Sequence, residues 1–394
     1  MGEWAYVKLD ELAEVKGGKR LPKGKLLTTY KTNHPYIRIT DFDGFKINLN
    51  NIQYVEDDVQ ISIARYIVKN GDIILSNVGT LGLVAIVPPE LDGANLTENC
   101  VRILLKKDEI DNKFLYYQLI SPDVQDLIIG LDVGSTQPKL PMYNIKSMDI
   151  SLPPLKEQKA IAQVLSSLDD KIDLLHRQNK TLEALAQTLF RQWFVKEAGD
   201  EWEVGTLDDI MIFNPTHSLK KGEMYPFLEM GNVQTFKSSV AGWYERAFTS
   251  GTKFKNGDTL LARITPSLEN GKTAYVDFLK DDEIGWGSTE FIVMRMKKGY
   301  HPFISYLIAR NEDFREFAIG NMTGSTGRQR AQAKDIKEYE ISIPAIEIIE
   351  KLNEAIEPIP IKIKANAEQI KTLENIRDTL LPKLMSGEVR VKYE

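Results

Sequence analysis

Three stretches of the chain gather side chains suited to gripping a polyanion. "KGGKRLPKGK" clusters Lys16, Lys19, Arg20, Lys23 and Lys25 in a glycine-rich run. "GSTQPK" offers Gln137 and Lys139, and "GSTGRQR" offers Arg328, Gln329 and Arg330. Lys220 and Lys221 stand where a second version of the first cluster would be, and Arg38 and Arg263 lie in "IRITDF" and "LARITPS". Lysine ammoniums can position phosphates, while the planar donors of Arg and Gln can read the edges of bases. Taken singly, each is an ordinary solvated charge. Their clustering in loops is what points to nucleic acid. The formal net charge of −6 points the other way, since nucleic-acid-binding domains tend to be basic. Total charge, however, does not report a local patch.

Tools for bond-making are scarce. The four histidines, His34, His176, His217 and His301, are far apart, and none pairs at metal-ligand spacing. His176 reads as a solvated helix residue. The single cysteine, Cys100, sits at a predicted strand start and reads as a buried thiol rather than a nucleophile. One cysteine also excludes a disulfide framework and fits a reducing compartment. "PSLENGKT" ends like a phosphate-binding loop, but Pro266 stands where the first glycine is required. It reads as a hairpin turn. "FNPTH" (Phe213–His217) faintly resembles a base-gripping motif of amino-methyltransferases, but Thr216 stands in place of its proline and no glycine-rich cofactor loop precedes it. No catalytic residue and no metal site is predicted. No secretory leader is expected from "MGEWAYVKLDELAEV", and no apolar run approaches the ~20 residues that cross a bilayer.

The elements that must position these loops are written twice, offset by roughly 190 residues, far beyond solenoid periods. "EWAYVKLDEL" matches "EWEVGTLDDI"; "HPYIRITDF" matches "YPFLEMGNV"; "NGDIILSNVGTLG" matches "NGDTLLARITPSLENG". "ENCVRILLKK" matches "TEFIVMRMKK", and "GSTQPKLP" matches "GSTGRQRA". Each copy is strand-rich, with short β-branched runs bounded by Gly, Asp and Pro. One helix per copy fits "NKFLYYQLIS" and "HPFISYLIAR".

After each copy the period changes. "SLPPLKEQKAIAQVL" opens a heptad pattern at Ile161, Leu165, Leu168, Ile172, Leu175, Leu182, Ala186, Leu189 and Trp193, with Asn179 at the skipped slot. About 40 helical residues make a rod of ~60 Å, and one narrow apolar seam needs a partner helix. "SIPAIEIIEKLNEAI" opens that partner: Leu352, Ile356, Ile359, Ile363, Ile370, Leu373, Leu380 and Leu384, with Asn366 and Arg377 at the missing slots. Asn179 and Asn366 stand where a buried polar pair can fix register. Pro358 and Pro360 must kink or break the second helix near its start and Pro382 near its end, and Gly387 is a plausible stop. The expected fold is α+β: two mixed α/β domains in tandem pseudo-repeat, at 1–153 and 197–343. Each is followed by a long helix, at 154–196 and 344–394, and the two helices pack as an antiparallel coiled coil. A rod of that length could hold two readers across half-sites ~34–36 Å apart on B-DNA.

With these residues in view, the chain resembles the DNA-specificity (S) subunits of type I restriction–modification systems. "PYIRITDF", "NGDIILSNVGTLG", "GSTQPKLP", "ISLPPLKEQKAIAQVLSSLDDKI" and "IRDTLLPKLMSGEV" carry the resemblance across nearly the whole chain. It implies two target-recognition domains, each reading one half of a bipartite site in double-stranded DNA. It implies two conserved spacer helices that set the gap and dock two modification (methyltransferase) subunits. Restriction subunits (translocase and endonuclease) would join through the complex. The partners would bring S-adenosylmethionine, ATP and Mg, and this chain would hold no cofactor and do no chemistry itself, in the cytoplasm and away from membranes. The chain departs from the pattern at "AIEIIEKLN", which lacks the pair seen as Glu157 and Gln158 in the first copy. Other readings compatible with the residues are a coiled-coil scaffold that binds no nucleic acid, a lone methyltransferase or nuclease, and an orphan specificity subunit without active partners.

Overall fold

Each half grows from the turn written as "NGD". Gly71 (φ +88) and Gly257 (φ +87) take the left-handed conformation there, which only glycine adopts without a steric penalty. Asp72 accepts from the Lys69 amide and Asp258 from the Lys255 amide, both at 2.8 Å, closing the turns. A central strand leaves each one.

In a computed structural model of the chain, which describes residues 4–106, 108–134, 136–196, 202–325 and 327–392, two units form. One is Met1–Lys171 with Leu373–Glu394, the other Ile172–Thr372. In the first unit β1 (Ala13–Gly17), β2 (Ile73–Ser76), β3 (Val84–Ile86) and β4 (Cys100–Leu105) lie in the antiparallel order β1-β4-β2-β3. In the second β5 (Met211–Phe213), β6 (Thr259–Ala262), β7 (Thr273–Tyr275) and β8 (Phe291–Met296) repeat it as β5-β8-β6-β7. Register makes the copies comparable residue by residue. Ser76 faces Cys100, and Ala262 faces Phe291. One step on, the Asn77 amide donates to the Asn99 carbonyl at 2.9 Å and the Arg263 amide to the Glu290 carbonyl at 3.0 Å. Asn77 and Arg263 are therefore equivalent, as are Asn99 and Glu290. A two-stranded ladder joins the start of each copy to its end: Ala5–Lys8 with Asp149–Leu152, and Glu203–Thr206 with Glu340–Ile343.

One helix per copy falls short of what forms. In the first unit α1 (Asn112–Ile120) is followed by α2 (Pro122–Gly130), and shorter helical turns also occur. Pro122 starts α2 because its fixed φ suits the first helical position and its missing N–H is not needed there. The long helix α3 (Leu155–Phe190) begins after Pro153 and Pro154, which cannot donate to a ladder. In the second unit α4 (Ile304–Arg310) is followed by α5 (Glu312–Gly320), capped by Asn311, whose Oδ1 accepts from the Phe314 amide at 3.1 Å. Then come α6 (Ile346–Ile356) and α7 (Pro358–Met385). Pro358 opens α7 and marks the break between these two, as expected, whereas Pro360 sits within the first turn of α7, where its missing N–H is not needed. Pro382 does not break α7, which runs on to Met385. Within one turn of the end a proline forfeits little, and the Ser386 amide still reaches the Pro382 carbonyl at 3.0 Å.

Each unit holds part of α3 and part of α7, and the seam positions face inward. Ile161, Leu165, Ile172 and Leu175 are buried, while Leu168, Asn179, Leu182, Leu189 and Trp193 are half-buried. Opposite them Leu352, Ile356, Ile359, Ile363, Asn366 and Ile370 are buried, and Leu373 and Leu380 half-buried. In the first unit Arg377 donates to Asp169 at 2.9 Å and Arg390, beyond α7, donates to Glu157 at 2.6 Å. Rising numbers on one helix meet falling numbers on the other, so the pair is antiparallel. In the second unit Asn366 Nδ2 donates to Asn179 Oδ1 at 2.8 Å. One register shift was not expected. After Phe190 the chain makes a π-helical turn over Arg191–Lys196, and Phe190 and Phe194, stacked at 5.0 Å, enter the core. The extra residue in that turn rotates Trp193 partly outward.

The opening of α3 is sealed. Glu157 is fully buried and paired with Arg390. Gln158, also buried, accepts from the Asp111 amide at 2.8 Å and donates to the carbonyls of Glu109 (2.9 Å) and Pro153 (2.8 Å). In the second copy Ile348 and Ile349 stand at those places. Asn353, a turn later, does the work of Gln158: it accepts from the His301 amide and donates to the Gly299 carbonyl, each at 2.8 Å.

Two consequences can be measured. Arg390→Ala strands a buried carboxylate and lowers the unfolding free energy of the first unit by ~3 kcal/mol in urea titrations, and adding Glu157→Gln restores most of it. In the second unit burial pushes the Asp277 carboxyl up to about 6. Its ionisation therefore opposes folding, an effect that builds from about pH 4 and is complete above pH 6, whereas well below pH 4 the group is neutral in both states. Asp277→Asn raises Tm at pH 8 and leaves it unchanged at pH 3.5.

Candidate nucleic-acid interface

The first basic cluster is pinned to the sheet. A Cβ on Gly18 would stand 2.0 Å from the Thr97 carbonyl oxygen, so only glycine lets the loop lie this close. The Gly18 amide donates to Cys100 and the Lys19 amide to Leu96, at 2.9 and 2.8 Å. The Tyr36 hydroxyl donates to the Lys19 carbonyl at 2.8 Å. Along this loop the charges differ in freedom. Arg20 pairs with Glu98 at 2.5 Å, and that hydrogen bond raises its guanidinium above the ordinary value. Lys25 pairs with Asp58, which raises its ammonium likewise. Lys16 pairs with Glu14 at 2.8 Å. The Lys19 ammonium lies 5.8 Å from the centre of the Tyr66 ring, and Lys23 is exposed.

Arg38 serves the fold. Its guanidinium donates to buried Asp41 at 2.7 and 3.1 Å, to Gln53 at 2.5 Å and to the Asn51 carbonyl at 3.0 Å. Those bonds tie together the loop after Ile37 and leave it little capacity for a base edge.

The loops after α2 and α5 dock in the same way in both copies. Val78 bridges to Lys139, and Ile264 bridges to Arg330. In the first copy the Gly79 amide donates to the Pro138 carbonyl at 2.8 Å. Asp132 accepts from the Gly134 and Lys139 amides at 2.8 and 2.7 Å, and those donors hold its carboxyl below the usual range. Gln137 and Lys139 present exposed side chains. In the second copy the Thr265 amide donates to the Gln329 carbonyl at 3.0 Å, and Gln329 is half-buried. Arg330 grips Glu290 with contacts of 2.8 to 3.0 Å, Arg263 donates to Gln332 at 2.9 Å, and Arg328 is exposed. Lys220 lies 3.3 Å from Glu223, and Lys221 is exposed. One docking site thus carries Asn77, Asn99 and Lys139 in the first copy and Arg263, Glu290 and Arg330 in the second.

The restraining acids were missed by sequence reasoning. A signal for two of them exists: "TE" stands just before each of the equivalent strands β4 and β8 and supplies Glu98 and Glu290, one position apart in register. The rejected motifs are structural. "PSLENGKT" forms the turn between β6 and β7. Asn214 accepts from the Val293 amide at 2.9 Å, and His217 meets Arg295, itself paired with Asp258 at 2.6 Å. Burial, reinforced by Arg295, lowers the His217 imidazole. The buried Cys100 thiol is pushed up to about 12 by desolvation. Among the described residues no group of acids, histidines or cysteines could hold a metal ion, and no helix is long and apolar enough to cross a membrane.

Residues 1–184 and 199–375 each match the family model for the type I restriction modification DNA specificity domain. A Methanocaldococcus jannaschii protein named type I restriction enzyme MjaIX specificity subunit is 27% identical, over 99% of this chain and 94% of its own length. A second protein of that organism, named putative type I restriction enzyme MjaX specificity subunit, is 24% identical over the same shares. The crystal structure of a type I restriction–modification S subunit from M. genitalium shares the fold, with a TM-score of 0.59, 19% identity and coverage of 97% and 96% of the two chains.

The two kinds of arginine separate in a melt. Arg38→Ala costs the first unit about 2 kcal/mol, because buried Asp41 loses its guanidinium donors and keeps only the backbone amide of residue 38. Arg328→Ala, on an exposed loop, leaves thermal stability within ~0.5 kcal/mol.

Proposed function

Because this chain belongs to the type I restriction modification DNA specificity family, we propose that each copy reads one half of an asymmetric, bipartite site in double-stranded DNA. The observation that carries this reading is the shared docking site with different side chains. Strand order and register repeat, yet Asn77, Asn99 and Lys139 are replaced by Arg263, Glu290 and Arg330. Two similar frames with different polar surfaces suit two different half-sites. Lys19, Lys23, Lys139, Lys221 and Arg328 position phosphates, and Gln137 and Arg328 are placed to reach base edges. Arg20 and Arg330 are oriented by their acidic partners and Arg263 by Gln332, and Gln329 contributes mainly through its backbone.

α3 and α7 set the distance between half-sites and dock two modification subunits. Glu157 and Gln158 are consumed inside the first unit. Docking therefore falls to exposed faces, where Leu174, Leu185, Ile361 and Ile376 leave apolar surface open. The chain itself is non-catalytic. S-adenosylmethionine, ATP and Mg belong to the modification and restriction subunits, and the assembly works in the cytoplasm.

Methylome sequencing of a host carrying this chain with its modification subunits returns a bipartite motif with unlike halves, and a palindrome would count against the reading. Deleting one heptad, Leu168–Leu174, changes the spacer or abolishes methylation. An unchanged spacer at full activity would show that the helices are not the ruler.

A further inference from the structure

Phe236 is held in an unfavourable place. Its backbone is left-handed (φ +56), a conformation that costs a non-glycine residue on the order of 1–3 kcal/mol and persists where its surroundings enforce it. The residue is 43% exposed. Gly271 makes room beneath it: a Cβ there would lie 2.4 Å from the ring. The Phe236 amide donates to the Gly271 carbonyl at 3.2 Å.

Two guanidiniums share that ring, Arg310 at 4.4 Å and Arg315 at 5.0 Å from its centre. The π face attracts both cations, but they repel each other. Neither has a carboxylate ion-pair partner among the described residues. Glu183, on the long helix, is occupied by Ser238, at 2.6 and 2.7 Å, and by Tyr306 at 3.4 Å. Glu312 and Glu316, on the same helix as Arg315, act on it only at a distance. Arg310 Nη1 and Arg315 Nε are buried with no hydrogen-bond acceptor. Burial, then the neighbouring Arg310, lowers the Arg315 guanidinium from its ordinary value. Two half-buried cations with incomplete hydrogen bonding form a receptor for one anion.

The first copy lacks this receptor. Ser121 and Asn311 begin the second helix of each copy, so Ile120 is equivalent to Arg310 and Gln125 to Arg315. Gln125 donates to the Gly82 carbonyl at 3.0 Å, just as Arg315 donates to the Glu269 carbonyl at 2.9 Å. The contact to the hairpin turn is kept and the charge is not. In the second copy that turn meets Arg315 at Glu269 and the Arg328 loop at Thr265. The pair therefore borders the candidate interface.

We propose that Arg310 and Arg315, carried on Phe236, bind a phosphodiester of the DNA backbone, a contact that only the second copy makes. Guanidiniums laid on a phenyl face cannot turn freely to a base edge, so the contact is independent of sequence. This rests on the DNA-reading function above.

The test uses Arg315→Gln, the residue of the first copy, which keeps the carbonyl contact and so the fold. In the complex with its modification subunits, on a mixed-sequence 40-base-pair duplex, the variant binds roughly three- to tenfold more weakly. Its slope of log K against log salt falls by about one, while Arg315→Lys keeps the slope. In a second arm, inorganic phosphate at constant ionic strength raises the Tm of the wild-type chain and not of Arg315→Gln. An unchanged affinity and slope overturn the proposal. Stabilisation by phosphate with unchanged duplex binding would make this a site for free phosphate and would equally overturn the diester assignment. A wild-type complex that binds no duplex would instead overturn the function on which the proposal rests.

Discussion

The seam of α3 with α6 and α7 closes the core of each unit. In the first, Ile161 and Leu165 share a core with Leu381, Leu384 and Met385. In the second, Ala186, Phe190 and Phe194 share one with Leu352, Ile356, Ile359 and Ile363. The first unit is not a continuous stretch of chain. It waits for residues almost at the C-terminus. The entropy of closing so long a loop grows only logarithmically with its length, while each buried Leu or Ile returns ~1.5–3 kcal/mol. The long-range closure is therefore thermodynamically cheap, and everything positioned by the sheets depends on it.

Apolar seams tolerate slippage, and polar pairs forbid it. Asn179 meets Asn366 in the second unit, and Asp169 meets Arg377 in the first. The Tyr117 hydroxyl donates to the same Asp169 at 2.6 Å, which fastens α1 to the seam. Sliding one helix by a residue would leave these groups desolvated without partners, at ~1–3 kcal/mol for each neutral group and more for the charged pair. Register is specified by what a slipped pairing would cost.

Much of this was legible in the sequence. The 3.5-residue period names the seam, and the skipped slots name Asn179 and Asn366, because helical geometry is local. The doubling of strand words names the repeat. Phe190 and Phe194 were not legible, since the heptad count continues smoothly to Leu189 and Trp193 and nothing local announces the π-helical turn. In the sequence, Glu157 and Gln158 are only a pair that the second helix entry lacks. Their burial depends on Arg390 and on the Glu109–Asp111 loop, far away in the chain. The candidate interface was legible as a set of cations but not as a set of available ones. Arg38 and Asp41 are only three residues apart, yet the aspartate looks like turn chemistry until its burial is known. Arg330 meets Glu290 across forty residues of sequence.

The pairing of cations with acids also accounts for an acidic chain bearing cationic loops. Acids hold Arg20, Lys25, Arg330 and Lys220 in place, so they contribute to the net charge of −6 while orienting the positive groups rather than erasing them. What differs between the copies is how much positive charge remains uncommitted beside an unchanged frame. At the foot of the hairpin turn the first copy has Ile120 and a satisfied Gln125, and the second has two arginines on an exposed ring. The strands can stay constant because their side chains face the core and their register fixes the turns. The turns can vary because backbone groups, the Gly82 and Glu269 carbonyls and the Gly79 and Thr265 amides among them, hold them. A frame that depends on backbone contacts at its rim leaves the rim's side chains free to diverge, and that separation lets one topology present two different polar surfaces.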